Sequence, residues 1–150
     1  GRLFEASAKS AAMLSGKSIP FIENISKAAK LIGIAFQVRD DLLDYGVSKG
    51  NIGKPEMQDI LEDKITYPLY FALKYSNKKD SSKILKKLKN KDFSIEEVAD
   101  FVSSSNAFNK CNSLIQNYNN EISKCINQIS NKEIRDEMLN LSESLKNRYE

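Results

Sequence analysis

Apolar residues recur every three or four positions along most of this chain, the spacing of amphipathic helices, and strand-like alternation is nearly absent. The alanine-rich stretch from Phe4 to Leu14 reads as a helix ending at Gly16. From Ile22 to Tyr45 a long helix is expected, with Ile25, Ala29, Ile32 and Phe36 on one stripe. Glycines and a proline between Tyr45 and Pro55 interrupt the pattern and mark a loop, either a lid or a tight connection. Another helix is expected to open between Glu56 and Asp59, where acidic residues suit a first turn, and to run to Leu73 with a kink at Pro68. Ser94 is a plausible N-cap with Glu97 at the capping-box position. Two more helices follow, Ala107 to Ile129 and Lys132 to Arg148. In the first, Leu114, Tyr118, Ile122, Ile126 and Ile129 form a core stripe. The fold class that results is all-α: a helical bundle spanning residues 1–150 as one domain.

The chemistry concentrates in Phe36-Gln37-Val38-Arg39-Asp40-Asp41-Leu42-Leu43-Asp44. At ~100° per residue, Gln37, Asp40, Asp41 and Asp44 fall within an arc of roughly 100°. Gly33 sits on the same stripe one turn earlier, where a missing side chain would let a ligand approach the backbone. Two unit charges ~6 Å apart repel by roughly 3 kcal/mol at an effective dielectric of 20, so the carboxylates need a counter-charge, and Arg39 points away from them. A hard divalent cation supplies it, since Mg²⁺ is commonly held by one or two carboxylates with phosphate oxygens completing its shell. Lys54 in the loop and Lys64 on the next helix are candidates for those phosphate oxygens. A solvated acidic face and ordinary surface lysines are the alternative reading.

Composition narrows the class. The 150 residues hold 41% hydrophobic content and a net charge of +3. The lysines between Lys78 and Lys91 carry much of that charge, yet no aromatics interleave with them as single-strand binding surfaces require. Ile84, Leu85 and Leu88 give that segment a short apolar side, so it reads as a solvated helix face without a nucleic-acid partner. No apolar run reaches the ~18 residues of a membrane span. Cys111 and Cys125, fourteen positions apart on one expected helix, are separated by ~20 Å of rise and cannot bridge. Free thiols suit an intracellular, cytoplasmic setting. With no histidine present, a thiol–imidazole pair is excluded.

GIAFQVRDDLLDY, then NIGKP, then DILEDKITYPLYFAL, together resemble the second aspartate-rich region of trans-isoprenyl diphosphate synthases, the family of farnesyl, geranylgeranyl and longer polyprenyl diphosphate synthases. The likeness in motif covers roughly the first half of the chain; beyond Tyr75 it is one of helical pattern. The resemblance implies the isoprenoid synthase fold and Mg²⁺-dependent condensation of isopentenyl diphosphate with an allylic diphosphate, in a homodimer. It makes Asp40 the direct magnesium ligand and puts Asp41 and Asp44 in the same site, directly or through metal-bound water. Lys54 and Lys64 become diphosphate contacts, and Phe36 with Gln37 line the substrate pocket. The family's first aspartate-rich motif and the arginine pair after it do not occur in these residues. The chain therefore reads as the C-terminal part of a longer polypeptide, expected not to catalyse prenyl transfer alone. The alternative is a non-catalytic regulatory subunit of a heteromeric synthase.

Overall fold

The computed structural model describes residues 1–48, 51–52 and 57–147 of the chain. Eight helices occur among them: α1 (Arg2–Leu14), α2 (Ile19–Asp44), α3 (Gln58–Leu61), α4 (Tyr67–Tyr75), α5 (Lys78–Asn90), α6 (Ile95–Ser103), α7 (Ala107–Asn127) and α8 (Lys132–Asn147). The only strands among the described residues are β1 (Val47–Ser48) and β2 (Asn51–Ile52), antiparallel with Val47 opposite Ile52. The all-α expectation holds.

Local chemistry sets the helix ends. Gly16, at φ +63°, closes α1: its N–H donates to the Met13 carbonyl while that of Lys17 reaches Ala12, a left-handed cap for which glycine has no Cβ penalty. The Ser94 hydroxyl accepts the Glu97 N–H, as a capping box begins. Its second half is absent, because both Glu97 carboxylate oxygens bind Lys87 Nζ at 2.7 Å.

The expected helix from Glu56 to Leu73 is two helices. Glu56 lies outside the described residues, α3 is a single turn ending at Leu61, and the chain turns at Asp63, φ +60°, before α4 begins. Pro68 is therefore the second residue of a helix, where its missing N–H has no intrahelical acceptor to leave unsatisfied. It starts α4 and does not kink it.

By packing, the chain divides into two compact units, Gly1–Gln37 with Leu114–Glu150, and Val38–Ser113. In the first, Ala28 and Ile32 of α2 pack with Ile122, Cys125 and Ile126 of α7, flanked by Phe4, Tyr118 and Met138. Gly33 belongs to this packing: a Cβ there would meet Gly1 Cα and the Phe4 ring at 2.9 Å. Its lack of a side chain admits helix α1, which corrects the expectation of a ligand approach. In the second unit, Tyr45, Met57, Ile60, Leu69, Ala72, Val98, Val102 and Ala107 form the core. Both cysteines are buried free thiols.

Candidate active site on α2, α3 and α4

The aspartates of α2 meet different surroundings. Asp40 is exposed, Asp44 is half-buried, and Asp41 is buried at 4% exposure. Helix geometry explains the gradient. Asp41 lies about 40° around the helix from Tyr45, four residues on, and Tyr45, Val38 and Leu42 are all buried. The acidic arc thus runs into the apolar face, and its innermost member needs polar partners where a bare carboxylate would be costly.

The segment after the hairpin provides them. Asp41 Oδ2 accepts the Tyr67 N–H at 2.8 Å, at the first turn of α4. The usual capping residue there, Thr66, makes no side-chain cap; its buried hydroxyl instead meets Tyr45 Oη at 3.1 Å. Burial raises the Tyr45 phenol well above its ordinary value, against the lowering by Thr66, with Asp44 and Asp41 adding smaller upward contributions. Cys111 is buried in the same unit, and desolvation followed by the charge of Asp41 pushes its thiol up to about 12. It is therefore a protonated packing group and no nucleophile.

Asp44 does for α3 what Asp41 does for α4. Its Oδ1 accepts the Gln58 N–H at 2.9 Å and its Oδ2 the Asp59 N–H at 3.3 Å, while its backbone carbonyl takes the Met57 N–H at 3.1 Å. Met57, fully buried, adopts a left-handed φ of 54° to aim these successive N–H groups at one aspartate. That conformation costs a non-glycine residue on the order of 1 kcal/mol, which core burial and the carboxylate bonds offset.

Asp40, Leu43, Asp44, Gln58 and Asp59 line an open cavity of about 400 Å³. Lys64 stands beside it, its Nζ 2.9 Å from Asp59 Oδ1 and 2.7 Å from Glu62 Oε2. These hydrogen bonds, Glu62 first, raise its pKa. Of the expected site residues, then, Asp40 and Asp44 share a cavity, Asp41 is turned into the fold, and Lys64 is tied to the cavity's edge. Phe36 and Gln37 sit on the part of α2 in the other unit, where the Phe36 ring lies 6.5 Å from that of Phe4 and Gln37 is exposed. Lys54 is outside the described residues. Among those described, no group of three or more His, Cys, Asp or Glu side chains is gathered closely enough to hold a metal ion by itself.

A family model described as polyprenyl synthetase matches residues 1–105. The chain belongs to the polyprenyl synthetase family. Over 147 residues it is 29% identical to the probable mitochondrial hexaprenyl pyrophosphate synthase of Yarrowia lipolytica, covering 97% of this chain and 32% of that protein. A decaprenyl diphosphate synthase from Rhodobacter capsulatus shares the fold with a TM-score of 0.85 at 20% identity, over 99% of this chain and 46% of that one. A polyprenyl synthase from Caulobacter crescentus, complexed with calcium and isoprenyl diphosphate, matches with a TM-score of 0.79 at 22% identity, again over 99% and 46%. The chain thus spans less than half the length of each of these relatives.

Sequence reasoning missed the inner partners of the aspartates in this family member. Thr66 and Tyr67 were legible only as part of a motif, and Asp59 only as its first residue and as an acid in a first helical turn. The one usable signal was the spacing from Asp59 to Lys64, five residues that wrap α3 and its closing turn. The Lys64 N–H donates back to the Asp59 carbonyl at 2.9 Å, which brings the two side chains together.

Proposed function

We propose that this chain supplies part of the active site of a trans-isoprenyl diphosphate synthase, a prenyltransferase that condenses isopentenyl diphosphate with an allylic diphosphate in isoprenoid biosynthesis. The observation that carries the reading is the division of labour within DDxxD. Asp41 and Asp44 accept backbone N–H groups that fix α4 and α3, and Asp40 stands exposed on the lining of the carboxylate-bearing cavity.

The donors lining that cavity are oxygens, the set preferred by Mg²⁺. Mg²⁺ keeps several waters and is commonly bound by one or two carboxylates plus substrate phosphates, so an open cavity with Asp40 on its lining fits it without a closed cage. Asp40 would hold the ion directly, with Asp44 and Asp41 behind it. Bound there, the cation supplies neutralisation of the charge that develops on a departing diphosphate. Lys64 and Lys54 take diphosphate oxygens as point charges, while Phe36 and Gln37 border the substrate. Asp41 keeps the start of α4, and with it Thr66, in register with α2. The whole enzyme is read as a homodimer. No helix among the described residues is long and apolar enough to cross a membrane.

The test is incorporation of labelled isopentenyl diphosphate by the full-length protein with Mg²⁺ and an allylic primer. Elongated product that disappears on chelation is the expected result. Folded protein that gives no product with several primers would overturn the catalytic reading and favour the non-catalytic subunit.

A further inference from the structure

Lys64 faces the wrong way for the role just given to it. It lines a second cavity, of about 230 Å³, with Ile60, Leu69 and Phe93, whereas the carboxylate cavity is bounded by Asp40, Asp44 and Asp59. Asp59 links the two sides: it lines the acidic cavity, and its carboxylate accepts from the Lys64 ammonium. Its backbone is pinned at both ends, by its own N–H to Asp44 and by its carbonyl to the Lys64 N–H. Its side chain is 25% exposed against 58% for Lys64 and 62% for Glu62. Asp59 is thus the fixed member of the cluster, and the long Lys64 side chain is the one that can swing.

A divalent cation held by Asp40 would share its cavity with Asp59, the residue whose carboxylate Lys64 uses. One carboxylate serving both would bring the cation and the ammonium within a few ångströms, where like charges repel. We propose, resting on the prenyltransferase reading, that Asp59 is a positioning residue for which the cation and Lys64 compete: cation binding at Asp40 draws the Asp59 carboxylate and releases Lys64 toward diphosphate oxygens. Cation and diphosphate binding are thereby coupled through the protein as well as through their own charges. Glu62, on the solvent side, acts as the holder from which Lys64 is easily taken, since exposed ion pairs are weak.

The experiment is amine-reactive footprinting of the full-length protein, read by mass spectrometry at Lys64, with Mg²⁺ alone as the probe. Calorimetry measures Mg²⁺ binding in parallel. Saturating Mg²⁺ is expected to raise Lys64 labelling about two- to fivefold, the protection that an exposed ion pair gives, and to leave Lys89 unchanged. Asp59→Asn should label Lys64 fast with or without Mg²⁺. Glu62→Gln should raise the baseline yet keep the Mg²⁺ response, and Asp40→Asn should abolish that response. Mg²⁺ bound by calorimetry with Lys64 labelling unmoved overturns this proposal alone, whereas no Mg²⁺ binding at all overturns it together with the reading beneath it.

Discussion

Asp40 and Asp41 are neighbours in sequence with opposite environments, and the contrast can be measured. Asp40→Ala in the full-length protein should cut turnover by about two orders of magnitude or more, the scale for removing one preorganised electrostatic stabiliser, while leaving the urea midpoint close to wild type because the side chain is exposed. Asp41→Ala should instead lower the unfolding free energy by about 1–3 kcal/mol, seen as a lower urea midpoint, because the Tyr67 N–H loses its acceptor at a buried carboxylate. Equal stability losses in the two variants would contradict the division of labour. The residue types and their shared arc were legible from spacing, but which carboxylate faces inward was not. That depends on Tyr67 and Thr66 arriving from more than twenty residues away. Cys111 gives a second residue-scale expectation. Its thiol rises from 9.0 to about 12 on folding, through burial first and Asp41 second. A raised folded value means that the stability it contributes is fully present below pH 9 and is lost as pH climbs from there towards 12. Cys111→Val should flatten that part of the stability curve, measured by urea titration at a series of alkaline pH values, and an unchanged slope would remove the thiol as its source.

At the scale of elements, periodicity found the helices with long apolar stripes and misjudged the two short ones between Gln58 and Tyr75. α2 and α7 occupy nearly the spans their patterns dictate. α3 and α4 merged in the reading because Leu61, Ile65, Leu69 and Leu73 keep a four-residue spacing across the break, although Leu61 and Ile65 are exposed and only Leu69 is fully buried. What separates them is conformational. Asp63 takes a left-handed φ, and its N–H and that of Lys64 close α3 on Ile60 and Asp59. A non-glycine residue at such a closing position carries no warning in sequence. The two readings of Pro68 differ in sign. A proline inside a helix costs about 3 kcal/mol, so its removal would stabilise. A proline in a helical first turn is preorganised, so Pro68→Ala should be neutral or cost up to about 1 kcal/mol through the freed unfolded chain. Chemical denaturation decides it, and a clear gain in stability would restore the kink.

On the scale of the whole molecule, a net charge of +3 conceals a local acidic concentration at Asp40, Asp44 and Asp59. The formal total predicts nothing about cation binding, because the lysines between Lys78 and Lys91 that dominate it are distant in sequence from α2 and include Lys87, paired with Glu97, and Lys91, paired with Asp63. Family membership was legible in some forty residues of motif, whereas the apolar pairing within each unit rests on contacts between segments far apart in the chain. A ligand that binds only the folded state stabilises it by mass action, by ~2.7 kcal/mol at a hundredfold excess over Kd. Mg²⁺ with inorganic pyrophosphate should therefore raise the Tm of the full-length protein by several degrees. Mg²⁺ alone should raise it less, because the acidic cavity then lacks the phosphate oxygens that complete the ion's shell. Sodium chloride at matched ionic strength should raise the Tm far less, since it only screens the repulsion and fills no coordination site. Asp40→Asn should remove most of the Mg²⁺–pyrophosphate shift while keeping the ligand-free Tm. If the shift survives in that variant, the cation is held elsewhere and the exposed carboxylate of α2 loses its role.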